Sequence, residues 1–179
     1  MELRWTTQLC DDDYADMAAL FDSEYAEDWG PWNPKHGYGY ARGELHSFAR
    51  VDGELVGYAA SARRFVGVGM GEVVVAGIGG VVTGAAARGQ GIGREVVSAL
   101  QDAMRGLAPA DFGLLGCRTE VVPFYQSCGF ALLHSVIRDI SPIDAMTVIE
   151  SQGPTLVCAG LRPIEAWPAG IIDLRGLPW

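Results

Sequence analysis

The chain of 179 residues carries 13 basic and 22 acidic side chains, a formal net charge of −9 at pH 7. This balance argues against nucleic acid and anionic membranes as partners, because both attract a basic face. No apolar run is long enough to span a bilayer, and the first residues lack the regions of a signal peptide. The four cysteines form no Cys-x-x-Cys pair and the three histidines are not spaced as ligands, so we expect no metal site. One cytoplasmic α/β domain over residues 1–179 is therefore expected.

The N-terminal half predicts a helix followed by an antiparallel meander. Glu2–Gln8 is typical of a short strand, and Asp12–Ala26 of a helix, because its apolar residues recur at helical spacing. Three alternating segments then predict the strands Glu44–Val51, Glu54–Phe65 and Glu72–Thr83. Asp52-Gly53 forms the first turn between them. Gly77, Gly79 and Gly80 inside the third strand indicate a bulge or a close backbone approach.

The C-terminal half predicts a crossover unit and further strands. Arg94–Leu107 has helical spacing, so the apolar strand Phe112–Arg118 that follows it should run parallel to the preceding strand. The remaining segments predict a short helix over Glu120–Cys128, a long strand over Phe130–Ile140 and a last strand over Thr155–Leu161, with Ile143–Ser151 ambiguous. The apolar tail Arg162–Trp179 is expected to dock on the domain.

The stretch Arg88-Gly89-Gln90-Gly91-Ile92-Gly93 lies at the turn between a predicted strand and a predicted helix. Glycines there let the backbone pass close to an anion, and the free N–H groups of the first helical turn point at it. The helix dipole adds to the attraction. The spacing differs from both the Rossmann fingerprint and the P-loop. The stretch therefore predicts a pyrophosphate cradle of another type.

This stretch resembles the coenzyme A loop of the GCN5-related N-acetyltransferases, Gln/Arg-x-x-Gly-x-Gly/Ala, which Arg88, Gly91 and Gly93 fill. A second block, Phe124-Tyr125-Gln126-Ser127-Cys128-Gly129-Phe130, is similar to the late Phe-Tyr-x-x-x-Gly-Phe of that superfamily. The resemblance implies an α/β (α+β) fold. Its features are a mixed central sheet with an antiparallel N-terminal meander, splayed central strands and about four helices.

The resemblance also implies acetyl-coenzyme A as the acyl donor and Tyr125 as the acid that protonates the leaving thiolate. It places the donor on two groups of residues: Val81, Val82 and Thr83 for pantetheine and the acyl carbonyl, and Arg88, Gly89, Gln90, Gly91, Ile92, Gly93 and Arg94 for the pyrophosphate. Tyr125 also contacts the donor. Dimers are frequent in the superfamily, so a homodimer is a further expectation.

Two branches of the superfamily compete for the acceptor. The tail Glu165–Asp173 and the stretch Arg63-Arg64-Phe65 resemble the nodulation N-acyltransferases, which acylate a chito-oligosaccharide amine. The same layout and a final Trp resemble the aminoglycoside 2'-N-acetyltransferases, which confer antibiotic resistance. The acidic balance favours a polycationic acceptor, so we expect an aminoglycoside such as kasugamycin. The alternative is a longer acyl donor on another amino sugar.

The acceptor is expected between the first helix and the first meander strand, where Asp28–Tyr40 has prolines and aromatic residues without a period. A loop packed on the core by its aromatics and an acceptor-site wall are both compatible with this pattern. The residues expected to bind a cationic amino sugar are Glu24, Asp28, Trp29, Trp32, Glu120, Asp173 and Trp179.

The general base is the main departure from the resemblance. The aminoglycoside 2'-enzymes carry a Glu on the bulged strand, and the matching position here is Gly79. The replacement candidates are the α-carboxylate of Trp179, Glu120, Asp173 and Glu72. His46 and His134 are expected to be ordinary strand histidines. A catalytically idle domain that only binds acyl-coenzyme A would suit the missing Glu, whereas Tyr125 favours catalysis.

Overall fold

The computed structural model describes residues 1–179 as three α-helices packed on one ten-stranded mixed sheet. The helices are α1 (Asp11–Trp29), α2 (Ile92–Ala103) and α3 (Val122–Ser127). The strands, β1 to β10 in chain order, are Glu2–Trp5, Leu45–Val51, Glu54–Val68, Gly71–Thr83, Phe112–Gly116, Ala131–Leu133, Ile137–Ile140, Val148–Ser151, Thr155–Ala159 and Ile172–Asp173. The mixed architecture is confirmed, with three α-helices where about four were expected. No helix is both long and apolar enough to cross a membrane.

The predicted meander is confirmed, since β2, β3 and β4 pair antiparallel in sequence order. Its first turn is Asp52-Gly53, where both residues have positive φ. β3 continues to Val68, beyond the predicted end at Phe65. The reason is that Val66 and Val68 are buried between neighbouring strands, and the chain turns only at Gly69, at φ 58°.

The predicted bulge lies in β4. Tyr58 of β3 faces Val82, whereas Ala60 faces Gly79, so β4 contains one more residue than β3 over this interval. Gly80 takes φ 61°, a left-handed conformation that glycine adopts without strain. Gly80 and Val81 consequently have no partner in register on β3.

β4 and β5 pair in parallel, as the crossover through α2 predicts, but only between Val75–Gly77 and Phe112–Leu114. Beyond this segment the two strands separate. α2 covers one face of the sheet with an apolar stripe that includes Val96, Val97 and Leu100, all fully buried. The separation leaves a groove that begins at the bulge and lies beside the N-terminus of α2.

The prediction of one strand over Phe130–Ile140 is wrong. The chain forms β6 and β7 instead, at distant places in the strand order β6-β9-β5-β4-β3-β10-β7-β8. Three residues, 134–136, carry the chain from one part of the sheet to the other without a Gly or Pro to mark the break. β9 is also not the last strand, because β10 inserts between β3 and β7.

The C-terminal tail docks on the domain, as its composition predicts. Ile172 of β10 is fully buried and Leu174 is nearly so. Trp167 packs edge-on against Phe112, with ring centroids 5.1 Å apart. β10 anchors the tail in the sheet, and the last residues then run across β3 towards β4.

Candidate active site

One cavity of about 980 Å³ joins the parts that the sequence singled out. Its lining includes the glycine turn before α2, the bulge of β4, Tyr125 of α3, the aromatic segment after α1 and Trp179. Pockets that hold small molecules commonly combine apolar and aromatic walls with a few polar groups, as this cavity does. The donor and acceptor regions predicted from separate stretches of sequence therefore open into a single space.

The glycine turn is shaped to admit an anion. Gly89 and Gly91 have φ of 77° and 86°, and a Cβ on either would meet no atom within 4 Å, so the space in front of the turn is open. Gly91 immediately precedes α2, whose twelve residues give it an N-terminus with free N–H groups. At Gly93 a Cβ would come within 3.2 Å of Thr83 Oγ1, which explains why this position holds a glycine and no larger residue.

The polar side chains around this turn already form ion pairs or hydrogen bonds within the protein. Arg88 forms an ion pair with Glu24 of α1, and the same carboxylate accepts a hydrogen bond from the Ala85 N–H at 2.8 Å. Arg94 donates to the carbonyl and hydroxyl oxygens of Ser127. Gln90 donates to the Ala86 carbonyl at 3.1 Å and does not line the cavity. Glu24, expected to meet a cationic acceptor, is thus neutralised within the protein.

Tyr125 of α3, the residue predicted to protonate the leaving thiolate, lies at the wall of this cavity. It is nearly buried, lines the cavity and packs edge-on against Phe124 and Phe130 at 5.0 and 5.8 Å. Burial raises the pKa of its hydroxyl, and the nearby Cys117 and Tyr25 raise it further. The hydroxyl therefore remains protonated at neutral pH, as a general acid must.

Trp179 occupies the floor of the cavity at the position expected for the missing Glu. A Cβ built on Gly79 would lie 2.6 Å from the carboxyl carbon of Trp179. A Cβ on Gly77 would lie 1.8 Å from an indole carbon. Both glycines are thus required by the close approach of the last residue. The terminal carboxyl group stands where a side chain from position 79 would begin.

Aromatic rings form one wall of the cavity, and Phe21 reaches the bulge at Gly80. Phe21 of α1 stacks on Trp32 with centroids 5.3 Å apart, and Trp29 contacts Tyr38 and Tyr40 at 5.8 and 6.4 Å. All five residues line the cavity. This segment is hydrogen-bonded to the C-terminal tail, because the Ala41 N–H that follows it donates to the Pro178 carbonyl at 2.8 Å.

Two cavity-lining residues each bury a polar atom that has no hydrogen-bond partner. The two atoms are the hydroxyl of Tyr38 and the indole nitrogen of Trp179. Both residues line the cavity. Both atoms are almost fully excluded from solvent, so neither opens into the cavity, and Ser47, Asp139 and Trp167 bury unpaired polar atoms elsewhere in the protein.

The acidic balance of the chain does not extend to the cavity. Its lining carboxylates are Glu24, already paired, the exposed Asp28 and the α-carboxylate of Trp179. Four arginines also line it: Arg42, Arg88, Arg94 and Arg118. The net charge of −9 therefore does not support a polycationic acceptor, and the inference drawn from it needs correction.

Three other acidic candidates for the base lie away from the cavity. Glu120 is exposed in a short 3₁₀ turn before α3. Asp173 of β10 accepts a hydrogen bond from the Arg175 N–H at 2.9 Å, and Glu72 is ion-paired with the Arg175 guanidinium. None of the three lines the cavity. Asp173 and Glu120 are therefore not brought to the bulge, neither as a base nor as acceptor ligands.

A hydrogen-bonded group beside the bulge was not foreseen. His46 Nδ1 lies 2.6 Å from the Tyr58 hydroxyl, and Nε2 lies 2.9 Å from Thr6 Oγ1. Burial, with a smaller contribution from Arg42, lowers the pKa of His46 to about 4, so the ring is neutral at pH 7. Alternation places His46 and Tyr58 on one face of paired strands, but the sequence does not show which residues face each other.

Solved structures share this fold at low sequence identity. Escherichia coli ElaA aligns with a TM-score of 0.60 and 20% sequence identity, over 88% of this chain and 97% of that one. The GNAT family N-acetyltransferase YhbS of Escherichia coli, in complex with CoA, aligns with a TM-score of 0.61 and 16% identity, over 97% of this chain and 88% of that one. An aminoglycoside 6'-N-acetyltransferase complexed with coenzyme A aligns with a TM-score of 0.58 and 13% identity, over 89% of this chain and 97% of that one. The GCN5-related fold is thereby confirmed.

The sequence itself matches one family. No curated protein matches the chain, but the profile of the family described as nodulation protein A (NodA) matches residues 1–177. That match covers nearly the whole chain and agrees with the resemblance of the tail and of Arg63-Arg64-Phe65. The chain belongs to the nodulation protein A family and is an N-acyltransferase with the GCN5-related fold.

Proposed function

We propose that the chain transfers the acyl group of an acyl-coenzyme A to one amine of an amino sugar. The observation that carries the proposal is the single cavity, which joins an open anion cradle, a buried tyrosine and an aromatic wall. The cradle fits a pyrophosphate, because Gly89 and Gly91 leave open space beside a helix N-terminus. The gap between β4 and β5 gives pantetheine a path from the cradle to the bulge.

The chemistry follows from the groups around the bulge. The amine nitrogen attacks the thioester carbonyl, forming a C–N bond, and the C–S bond breaks. Backbone N–H groups of β4 near Val81 and Val82, where β5 no longer pairs with β4, would stabilise the oxyanion. The Trp179 carboxylate accepts the proton that the ammonium loses before the free amine attacks. Tyr125 donates its proton to the departing thiolate and regains one from the amine nitrogen as the amide forms.

The role given to Trp179 rests on its carboxyl carbon standing beside Gly79. Adding one glycine after Trp179 should lower kcat by about 10²-fold, the lower bound for removing a general base. The affinity for coenzyme A should not change, because the glycine turn is untouched. Normal turnover by the extended chain would remove Trp179 from the mechanism.

An amino sugar with few positive charges fits the acceptor region best. The apolar C–H face of a sugar ring packs on aromatic walls such as the one that Trp29, Trp32 and Tyr40 contribute here. Family membership favours a chito-oligosaccharide amine and a longer acyl donor. An aminoglycoside acceptor, and with it antibiotic resistance, is the second candidate. The final Trp and the overall layout support it, and the charge of the cavity does not.

Release of free thiol tests the proposal. Purified protein is mixed with acetyl-coenzyme A or a longer acyl-coenzyme A and with a panel of chito-oligosaccharides bearing one free amine, aminoglycosides including kasugamycin, and simple alkylamines. Release with amino sugars and not with alkylamines supports the proposal. Coenzyme A binding without release across the panel would contradict it and favour a domain that only binds the thioester.

A further inference from the structure

Two stretches noted in the sequence, Arg63-Arg64-Phe65 and the C-terminal tail, meet in the structure. Arg64 Nη1 donates to the Leu174 carbonyl at 3.0 Å and to the Leu177 carbonyl at 2.8 Å. The guanidinium carbon also lies 4.7 Å from the centroid of the Trp179 ring. One side chain therefore contacts both the turn that leads out of β10 and the last residue of the chain.

The contacts require the shape of an arginine. A planar guanidinium can donate along its edge while its face lies on an aromatic ring, whereas an ammonium is a point charge without a face. Alternation along β3 places Arg64 on the same face as Ala60 and Ala62, which line the cavity. Because those two residues are small, the tail can cross β3 close to the backbone and reach Gly77 and Gly79 of β4.

Other contacts also hold the end of the tail. After β10 the Leu174 N–H donates to the Arg138 carbonyl at 2.8 Å, the Ile140 N–H donates to the Gly176 carbonyl at 3.0 Å, and the Ala41 N–H donates to the Pro178 carbonyl at 2.8 Å. Arg175 also forms an ion pair with Glu72 of β4. None of these contacts involves Trp179 itself, whereas Arg64 contacts both the backbone before Trp179 and its ring.

We propose that Arg64 is a positioning residue for acyl transfer. It acts by holding Leu174–Trp179 so that the terminal carboxyl group stays above Gly79. This inference rests on the proposed function, because it gives the carboxylate of Trp179 a part in the reaction. It assigns a role to a charged side chain that itself stands outside the set of cavity-lining residues.

The test compares Arg64→Ala with the matched control Arg63→Ala. Arg63 is the next residue on β3, but it points to the other face, where it lies over Trp5 and 3.8 Å from Glu44. Arg64→Ala should lower kcat about tenfold or more, leave coenzyme A affinity within twofold and speed removal of Trp179 by carboxypeptidase. It should also shift the acidic limb of the pH profile of kcat/KM. Arg63→Ala should match the wild type in all four measurements.

Two further variants keep the outcomes separable. Arg64→Lys retains the charge and one donor, so its kcat should lie between those of the wild type and Arg64→Ala; it decides the case if the alanine variant does not fold. Normal kcat and an unshifted pH profile in both Arg64 variants would overturn the inference. A chain lacking Trp179 tests the proposed function by itself. If that chain is slow while both Arg64 variants are normal, only the role of Arg64 fails; if it is fully active, the role of the carboxylate fails.

Discussion

Replacing Gly77 by alanine tests whether the seat of Trp179 supports the reaction. The added Cβ would lie 1.8, 1.9 and 2.4 Å from three indole carbons. Carbon atoms in contact are separated by about 3.5–4.0 Å, so the ring must move by roughly 2 Å or leave its seat. A shift of about 1 Å in a catalytic group can lower a rate about 100-fold. We therefore expect Gly77→Ala to lower kcat by about two orders of magnitude.

The same substitution should lower the free energy of unfolding. A tryptophan buries about 150–250 Å² and burial contributes about 25 cal/mol per Å², so exposing half of the indole costs about 2–3 kcal/mol. Urea unfolding measures this loss, tryptophan fluorescence reports the movement of the ring, and thiol release gives kcat.

Gly71→Ala is the matched control, because Gly71 lies on the same strand and a Cβ there would meet only the Val68 carbonyl oxygen, at 3.7 Å. This variant should behave as the wild type. If Gly77→Ala keeps both the wild-type fluorescence and the wild-type kcat, the seat of Trp179 has no part in catalysis.

Three further predictions concern other parts of the site. Tyr125→Phe should lower kcat by about 10²–10⁴-fold with unchanged coenzyme A affinity, since only the proton donor is lost; equal turnover would exclude the tyrosine as the acid. Gly91→Ala should weaken coenzyme A binding roughly tenfold, because an L-residue in the left-handed region costs about 1–2 kcal/mol, whereas Gly106→Ala in open space should not. The pKa of His46 is lowered to about 4 in the folded chain. Between pH 6.5 and pH 4, His46 is therefore protonated in the unfolded chain and neutral in the folded chain. Stability should therefore fall by about 3 kcal/mol as the pH drops through this window, and His46→Gln should remove that part of the slope in urea titrations at a series of pH values; an equal slope in the variant would refute the assignment.

The geometry of the predicted donor region could be predicted from sequence because it depends on local signals. The glycine turn is predicted by glycines at a strand-to-helix junction, where positive φ is needed, and Gly89 and Gly91 both have positive φ. Glycines within a predicted strand predicted the bulge, and Gly80, with positive φ, lies in it. Tyr125 follows from a short helix with a fixed place after β5. In each case a few consecutive residues contain the whole requirement.

The acceptor side depends on contacts between distant residues. The path of the tail is set by β10, two residues long, and by Arg64, which lies 110 residues before one of the carbonyls it binds. No periodicity shows such a pairing. The pairing of His46 with Tyr58 depends likewise on the register of two strands. The break between β6 and β7 carries no Gly or Pro, so apolar residues on both sides looked like one strand.

The net charge is a poor guide to the charge of the acceptor for a related reason. It sums over the whole surface, whereas an acceptor responds to the groups that line its cavity. Most carboxylates lie outside the cavity, several of them in ion pairs such as Arg4 with Asp13 and Arg175 with Glu72. The local balance of the lining is basic.

The mass of the acceptor after reaction tests the central claim most directly, because thiol release alone would not separate transfer from hydrolysis of the thioester. A chito-oligosaccharide with one free amine is incubated with the protein and acyl-coenzyme A, and the products are analysed by mass spectrometry with fragmentation. We predict the gain of one acyl group, located on the amine nitrogen. An unchanged acceptor mass across the amino-sugar panel, with coenzyme A bound in the cavity, would contradict the account.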